Sequence, residues 1–243
     1  MSPVDQIVHK EMAGEYVWLE GGQRYAVCAF YTPNYLDQIQ TLKASLQALG
    51  INHYFKRYEP RGGWEANTRI KAHFIAHALQ RLPKHDVAYL DADAVVRQPL
   101  TLFEAASADV TMLFDHRRRG TVNTLRIAAG TLLVRNTPGG RKFAARWADE
   151  AGKAGALDLD EDLIYRMFPT LDDVTFAVLP GRYSKIFDAP GVDPVVEHFQ
   201  ASRGQFKWRR FARQARQVAT VIGGIALLGL LWWLSSRVVI GWK

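Results

Sequence analysis

Cysteine is nearly absent from this chain: one, Cys28, in 243 residues. A lone thiol excludes an intramolecular disulfide and suits a reducing compartment. Within the apolar run Arg24–Tyr31 it reads as an inert core residue. Internal repeats and low-complexity linkers are also missing, so the simplest organisation is one soluble domain of about two hundred residues with an accessory segment. Met1–Gln23 carries acids early and holds no continuous apolar region, which excludes export by an N-terminal signal peptide.

Acid is the scarcer charge, 24 Asp and Glu against 31 Lys and Arg, for a formal net charge of +7. The excess is concentrated: Lys207, Arg209, Arg210, Arg213 and Arg216 share one short stretch with Phe206, Trp208 and Phe211. Such a cluster suits nucleic acid, but the following residues point elsewhere. Charge vanishes from Val218 to Leu234, and with Ser235 and Ser236 this run reaches the roughly 20 residues that cross a bilayer core. A transmembrane helix is therefore expected, with Trp232, Trp233, Trp242 and Arg237 as interfacial anchors. The basic cluster outweighs Arg237 and Lys243 beyond the span, which places the large N-terminal part in the cytoplasm. The same cluster is expected to bind an anionic phospholipid surface, with no nucleic-acid partner.

Along the rest of the chain strands alternate with helices. Arg24–Tyr31 reads as a strand, and Tyr35, Ile39, Leu42, Leu46 and Leu49 then repeat at helical spacing until Gly50. Ile51–Tyr58 is a second strand, followed by a loop over Pro60–Trp64. Asn67 is expected to cap a helix carrying Ile70, Phe74 and Leu82, which Pro83 ends. The strand beginning at Val87 comes next, then Ala108–Phe114. The basic stretch Asp115–Arg126 reads as a mobile loop of the kind that closes over substrate. Ala128–Arg135 is strand-like, and Thr137-Pro138 is a cap and first-turn proline for a helix with Phe143 and Trp147. Asp160-Glu161-Asp162 opens a short helix, Phe176–Leu179 is a late strand, and Asp193–Gln200 leads to His198. The fold class is α/β.

The stretch Val87–Val96 carries the chemistry. An almost wholly apolar strand, as expected for a central strand covered on both faces, delivers Asp91 and Asp93 at its carboxyl end, where open α/β sheets place ligands. If the extended geometry continues past Leu90, both acids share a face, Ala92 points oppositely, and one divalent cation fits between them. Three readings remain open on these residues. The acids can simply end a strand in water. They can hold a cation against the diphosphate of a nucleotide-sugar. Or they can form the strand-terminal Asp-x-Asp of a haloacid dehalogenase-type phosphatase. That phosphatase motif belongs to an opening strand; here two strand-helix units come first, and no later acidic pair completes such a site.

The order of several pieces narrows this further: AFYTPNY, RIKAHFIAHAL ahead of VAYLDADAVV, AAGTLLVRNT with Trp147 downstream, DED, and VVEHFQASR. Over about Arg24 to Arg203 the chain resembles the GT-A glycosyltransferases, nucleotide-diphospho-sugar transferases with a Rossmann-like mixed sheet flanked by helices. The resemblance implies that Asp91, Asp93 and His198 hold Mn²⁺ or Mg²⁺ and that Arg203 meets the diphosphate. It also implies that Tyr31 and Thr32 lie against base and ribose and that Lys71 lies near the nucleotide. Ala92 and Gly130 lie close to the donor, Gly130 otherwise serving strand packing. Hard oxygen ligands with one imidazole suit Mn²⁺. Among Asp160, Glu161 and Asp162, which also favour the positive end of a helix, Asp162 and then Glu161 are the candidate bases for an inverting reaction. A retaining reaction needs none.

The organisation that follows is an extension (1–23), a GT-A domain (24–203), a basic juxtamembrane segment (204–217) and an anchor (218–242). The expected activity is transfer of a sugar, from a UDP-sugar by this reading, to a lipid-linked or glycolipid acceptor on the cytosolic face of a bacterial inner membrane, since a tethered site meets such acceptors at high effective concentration. A non-catalytic, tail-anchored scaffold on a degenerate transferase fold is the competing class.

Overall fold

A computed structural model describes residues 14–119, 122–156, 158–191 and 193–200. The juxtamembrane segment, the expected anchor and Arg203 lie outside the described residues. Among the described residues no helix is long and apolar enough to cross a membrane.

Seven strands form a mixed central sheet: β1 (Glu15–Trp18), β2 (Tyr25–Tyr31), β3 (His53–Arg57), β4 (Asp86–Leu90), β6 (Val110–Arg119), β7 (Val122–Val134) and β8 (Phe176–Val178). Their order across the sheet is β1-β3-β2-β4-β7-β6-β8. Strands β2, β3 and β4 run parallel, whereas β7 pairs antiparallel with both β4 and β6. A second, three-stranded sheet joins β5 (Ala94–Val96) to β10 (Val196–His198) and β9 (Lys185–Ile186).

The alternation along β2 and β4 explains why both read as apolar runs. Ala26, Cys28, Val87 and Tyr89 face one core cluster, filled by helices α3 (Ile70–Arg81), α5 (Pro138–Lys153) and α6 (Asp160–Met167). Tyr25, Val27, Ala29, Ala88 and Leu90 face the other, filled by α1 (Leu36–Ala48) through Ile39, Leu42 and Leu46 and by α4 (Thr101–Ala105) through Phe103. A strand covered on both faces has no position where a polar side chain is solvated. Cys28 is fully buried, in keeping with its reading as a core residue.

Thr137 caps α5 as its sequence predicts, accepting from Gly140 N at 3.1 Å, with Pro138 in the first turn. Gly50, at φ 60°, occupies the left-handed conformation that ends α1. Asn136, just before α5, donates to the carbonyls of Leu79 and Leu82 at 3.0 and 3.1 Å and so closes the end of α3.

Three expectations are corrected. The stretch 115–126 is no loop: β6 and β7 pair in register from Asp115↔Arg126 to Arg119↔Val122, beyond a bulge at Met112/Leu113. Charge density suggested a solvated loop, but an antiparallel ladder satisfies its backbone whatever the side chains carry, and Val122 and Thr124 favour it. Asn67 does not cap α3. It lies inside a preceding short helix, α2 (Trp64–Thr68), and its carboxamide accepts from Arg61 N at 2.7 Å. Finally, part of the segment read as an N-terminal extension is the edge strand β1, paired with β3 from Glu15↔Lys56 to Trp18↔His53. Lys43 of α1 fixes it, with its ammonium 3.6 Å from the Tyr16 ring centre.

Candidate active site

Extended geometry stops at Leu90. Asp91, Ala92 and Asp93 form a tight turn into β5, closed by Ala94 N donating to Asp91 O at 2.9 Å. The expectation of a continuing strand is therefore corrected, because the chain must reverse to pair β5 with β10. The two carboxylates nevertheless come close together, and Ala92 packs in the second core cluster.

His198 completes the group. Strand β10 pairs antiparallel with β5, His198 opposite Ala94, and Phe199 N donates to Asp93 O at 3.1 Å. One ligand atom from each of Asp91, Asp93 and His198 lies within 4.8 Å of the others, and the three residues can hold a metal ion. The buried imidazole turns Nδ1 toward the acids, 3.9 Å from Asp93 Oδ1, while Nε2 lies 2.7 Å from the Thr131 hydroxyl. With the proton on Nε2, that contact leaves the Nδ1 lone pair facing the carboxylates. A second partner of this kind commonly orients a metal-binding histidine.

Gly130 shows why a strand interior tolerates glycine here. A Cβ at this position would lie 2.9 Å from Asp91 Oδ2 and 3.3 Å from His198 Cε1. The close approach is to the Asp91 carboxylate and the His198 imidazole, and Gly130 O also accepts from Asp91 N at 2.9 Å.

Asp91 also belongs to an ion group whose members the sequence reading named without bringing them together. Lys71, from the first turn of α3, is buried with 6% of its side chain exposed. Its ammonium lies 3.1 Å from Asp91 Oδ1 and 2.6 Å from Asp160 Oδ2. Tyr89 OH donates to the same Asp91 Oδ1 at 2.9 Å, and Lys71 Nζ sits 5.1 Å from the Tyr89 ring centre. Burial alone would push the Lys71 ammonium down; the charges of Asp160 and Asp91 overcome it and hold Lys71 above the ordinary lysine range. Asp91 moves up: burial, then Asp93 and Asp160, outweigh Lys71 and His198. Burial and the adjoining Asp91 push the Tyr89 phenol well up.

The acidic triplet divides by function. Asp160 is buried at the start of α6, where its carbonyl accepts from the buried Trp147 Nε1 at 3.1 Å, so α5 sets its position. Asp162 is exposed and accepts from Leu159 N at 3.0 Å, closing its own helix. Glu161 is half-buried, with Oε1 3.4 Å from Ala129 N, beside Gly130. Sequence reasoning named all three acids, favoured Asp162 and then Glu161, and gave Asp160 no distinct role. The signal available was spacing, since the first acid of the triplet adjoins the apolar Leu163-Ile164 face that docks on the sheet.

Past the end of β2, Thr32 is buried and donates from Oγ1 to Asn34 Oδ1 at 2.6 Å. Tyr31 ends β2 with 2% exposure, packed in the second core cluster, so its ring is a core element here. Tyr35 is half-buried, and after burial its phenol is pushed up chiefly by the charges of Asp93 and Asp91, so it stands in the field of the acid pair.

By sequence, no family model and no curated protein matches the chain. By structure it is similar to a glycosyltransferase involved in the glycosylation of the major capsid of PBCV-1. The TM-score is 0.57 at 17% identity, over 74% of this chain and 96% of that one. It is also similar to WbbM, a bifunctional glycosyltransferase, at TM-score 0.51 and 13% identity, over 74% of this chain and 46% of that one. The chain has a glycosyltransferase fold. Its acid pair and histidine stand at the carboxyl end of a central strand of that fold.

Proposed function

We propose that the protein is a divalent-cation-dependent glycosyltransferase of the GT-A type that moves a sugar from a nucleotide-diphosphate donor to a membrane-associated acceptor. The observation that carries the reading is the convergence of Asp91, Asp93 and His198 at the end of β4. Two carboxylates and one imidazole form a hard, mixed donor set that fits Mn²⁺ or Mg²⁺, with donor phosphates to complete the coordination. Bound there, the ion offsets charge on the departing nucleoside diphosphate.

The remaining roles fall to the chain's own side chains. Asp91 offers Oδ2 to the ligand group, because Oδ1 is engaged by Lys71 and Tyr89. Thr131 fixes the ring of His198. Thr32 and Tyr35 border the base and ribose, Ala92 and Gly130 keep the backbone close to the donor, and Arg203 meets the diphosphate. For an inverting reaction Glu161 is the better-placed base, since the Asp162 carboxylate already closes α6. UDP is the proposed nucleotide.

The acceptor class rests on the sequence beyond the domain. The basic, aromatic segment 204–217 engages an anionic phospholipid surface, the segment 218–242 with its apolar run anchors the chain, and the domain faces the cytoplasm. The test is a panel of labelled nucleotide-sugars given to the full-length protein with Mn²⁺ and either lipid extract or soluble glycans. Metal-dependent transfer to lipid, abolished by Asp93→Ala, is expected. Transfer to soluble acceptors alone overturns the acceptor class, release of inorganic phosphate without sugar transfer favours a phosphatase, and no Asp93-dependent turnover favours a scaffold.

A further inference from the structure

Asp91 uses its two oxygens differently. Oδ2 faces Gly130, on the side where Asp93 and His198 converge, whereas Oδ1 already accepts from Tyr89 OH and pairs with the Lys71 ammonium. Lys71 is not held by Asp91 alone. Its shorter contact, 2.6 Å, is to Asp160, which α6 and Trp147 fix in place. A buried cation bridging two acids, one of them a candidate metal ligand, occupies part of the negative field that a divalent ion would use.

We propose that Lys71 is a resident counter-cation that competes with the divalent ion for Asp91, so that the ion binds weakly until an anionic donor draws the ammonium away. This rests on the metal-dependent reading above and adds an order of events to it. With no donor present, the pairing of Lys71 with Asp91 lowers the attraction that Asp91 and Asp93 exert on a cation. A diphosphate gives the ammonium another anion. Lys71 then keeps Asp160 as its protein partner, and Asp91 carries its full charge toward the ion. Coupling of this kind is reciprocal: whatever the donor does for the ion's affinity, the ion does for the donor's. Lys71 is thus a positioning residue whose contribution is read in binding before any turnover.

The decisive variant is the double substitution Lys71→Met, Asp160→Asn. It removes one positive and one negative charge, so the formal charge of the group is unchanged, and it replaces a buried ion pair by groups of similar size, which proteins often tolerate. If only net charge matters, it binds Mn²⁺ as the wild type does. If Lys71 competes for Asp91, it binds Mn²⁺ more tightly, by roughly tenfold for a coupling of ordinary size. Full-length protein in detergent, free of donor, is titrated with Mn²⁺ alone while free Mn²⁺ is followed by electron paramagnetic resonance. Asp160→Asn alone, which leaves Lys71 to Asp91, is expected to weaken binding below wild type and keeps the proposal testable should the double variant fail to fold. Asp93-dependent Mn²⁺ binding that is unchanged or weakened in the double variant, or strengthened by Asp160→Asn alone, overturns the proposal and leaves the metal reading standing. Absence of Asp93-dependent binding in the wild type and the double variant overturns both.

Discussion

The same three-part arrangement occurs at two places among the described residues, with opposite outcomes. At the end of β4 a tyrosine hydroxyl and a lysine ammonium meet one carboxylate: Tyr89 and Lys71 on Asp91. At the β1 edge Tyr54 and Lys56 meet Glu15 in the same way, at 2.5 and 3.3 Å. Yet Asp91 is pushed up, whereas Glu15 is lowered to about 2, its hydrogen bonds from Tyr54 and Lys56 outweighing a desolvation that acts the other way. The difference lies in the outer neighbours. Glu15 is paired with Lys56 and Arg81, and its charge is answered. Asp91 stands among Asp93 and Asp160, with Lys71 shared between two acids. One cluster is a satisfied clasp for the edge strand; the other retains negative charge directed at whatever binds there.

The largest change expected to separate the clusters is Asp91→Asn. It removes a ligand charge and one of Lys71's two anions together, and donor turnover should fall by more than the roughly 10- to 100-fold typical of outer partners. A variant that turns over donor as the wild type does would mean that the β4 cluster is only a second clasp. Gly130→Ala comes next. Its new methyl must displace Asp91 Oδ2 from 2.9 Å, so Mn²⁺ affinity and turnover should fall while thermal stability changes less, checked by titration beside a melting curve. Thr131→Val removes the partner of His198 Nε2 and is expected to weaken Mn²⁺ binding about tenfold, the lower end of what such partners contribute.

The smallest effect on activity belongs to Glu15→Gln. A carboxylate held at about 2 against an ordinary 4.5 stabilises the folded chain above pH 4.5, and that contribution is lost as pH falls from 4.5 toward 2. The variant should be less stable at neutral pH, should unfold with a shallower dependence on acid through that window, and should keep wild-type turnover. Circular dichroism across pH, with a donor assay at neutral pH, checks this. Lost turnover would tie the edge strand to the site and erase the contrast between the clusters.

Much of this was legible beforehand, for identifiable reasons. The core strands announced themselves because burial on both faces leaves only apolar residues. Asp91 and Asp93 stood out as acids after such a strand, whereas His198 was legible only through the resemblance to GT-A glycosyltransferases. Strand β1 escaped because four residues, EYVW, are too short to show a period. The β6–β7 pairing escaped because ladder hydrogen bonds are made by the backbone, on which a run of arginines says nothing. Asp160 escaped because three consecutive acids look alike in a sequence. Only the docking of α6, through the indole of Trp147, turns the first of them inward.

Strand β10 lies near the end of the domain, and it alone brings His198 to acids placed near the middle of the chain. During synthesis, both carboxylates and their lysine leave the ribosome long before the imidazole does. A nascent chain interrupted before Val196 would therefore carry a charged turn with no histidine to close it. The pairing of β10 with β5 thus completes the candidate metal-binding group only once nearly the whole domain has been synthesised.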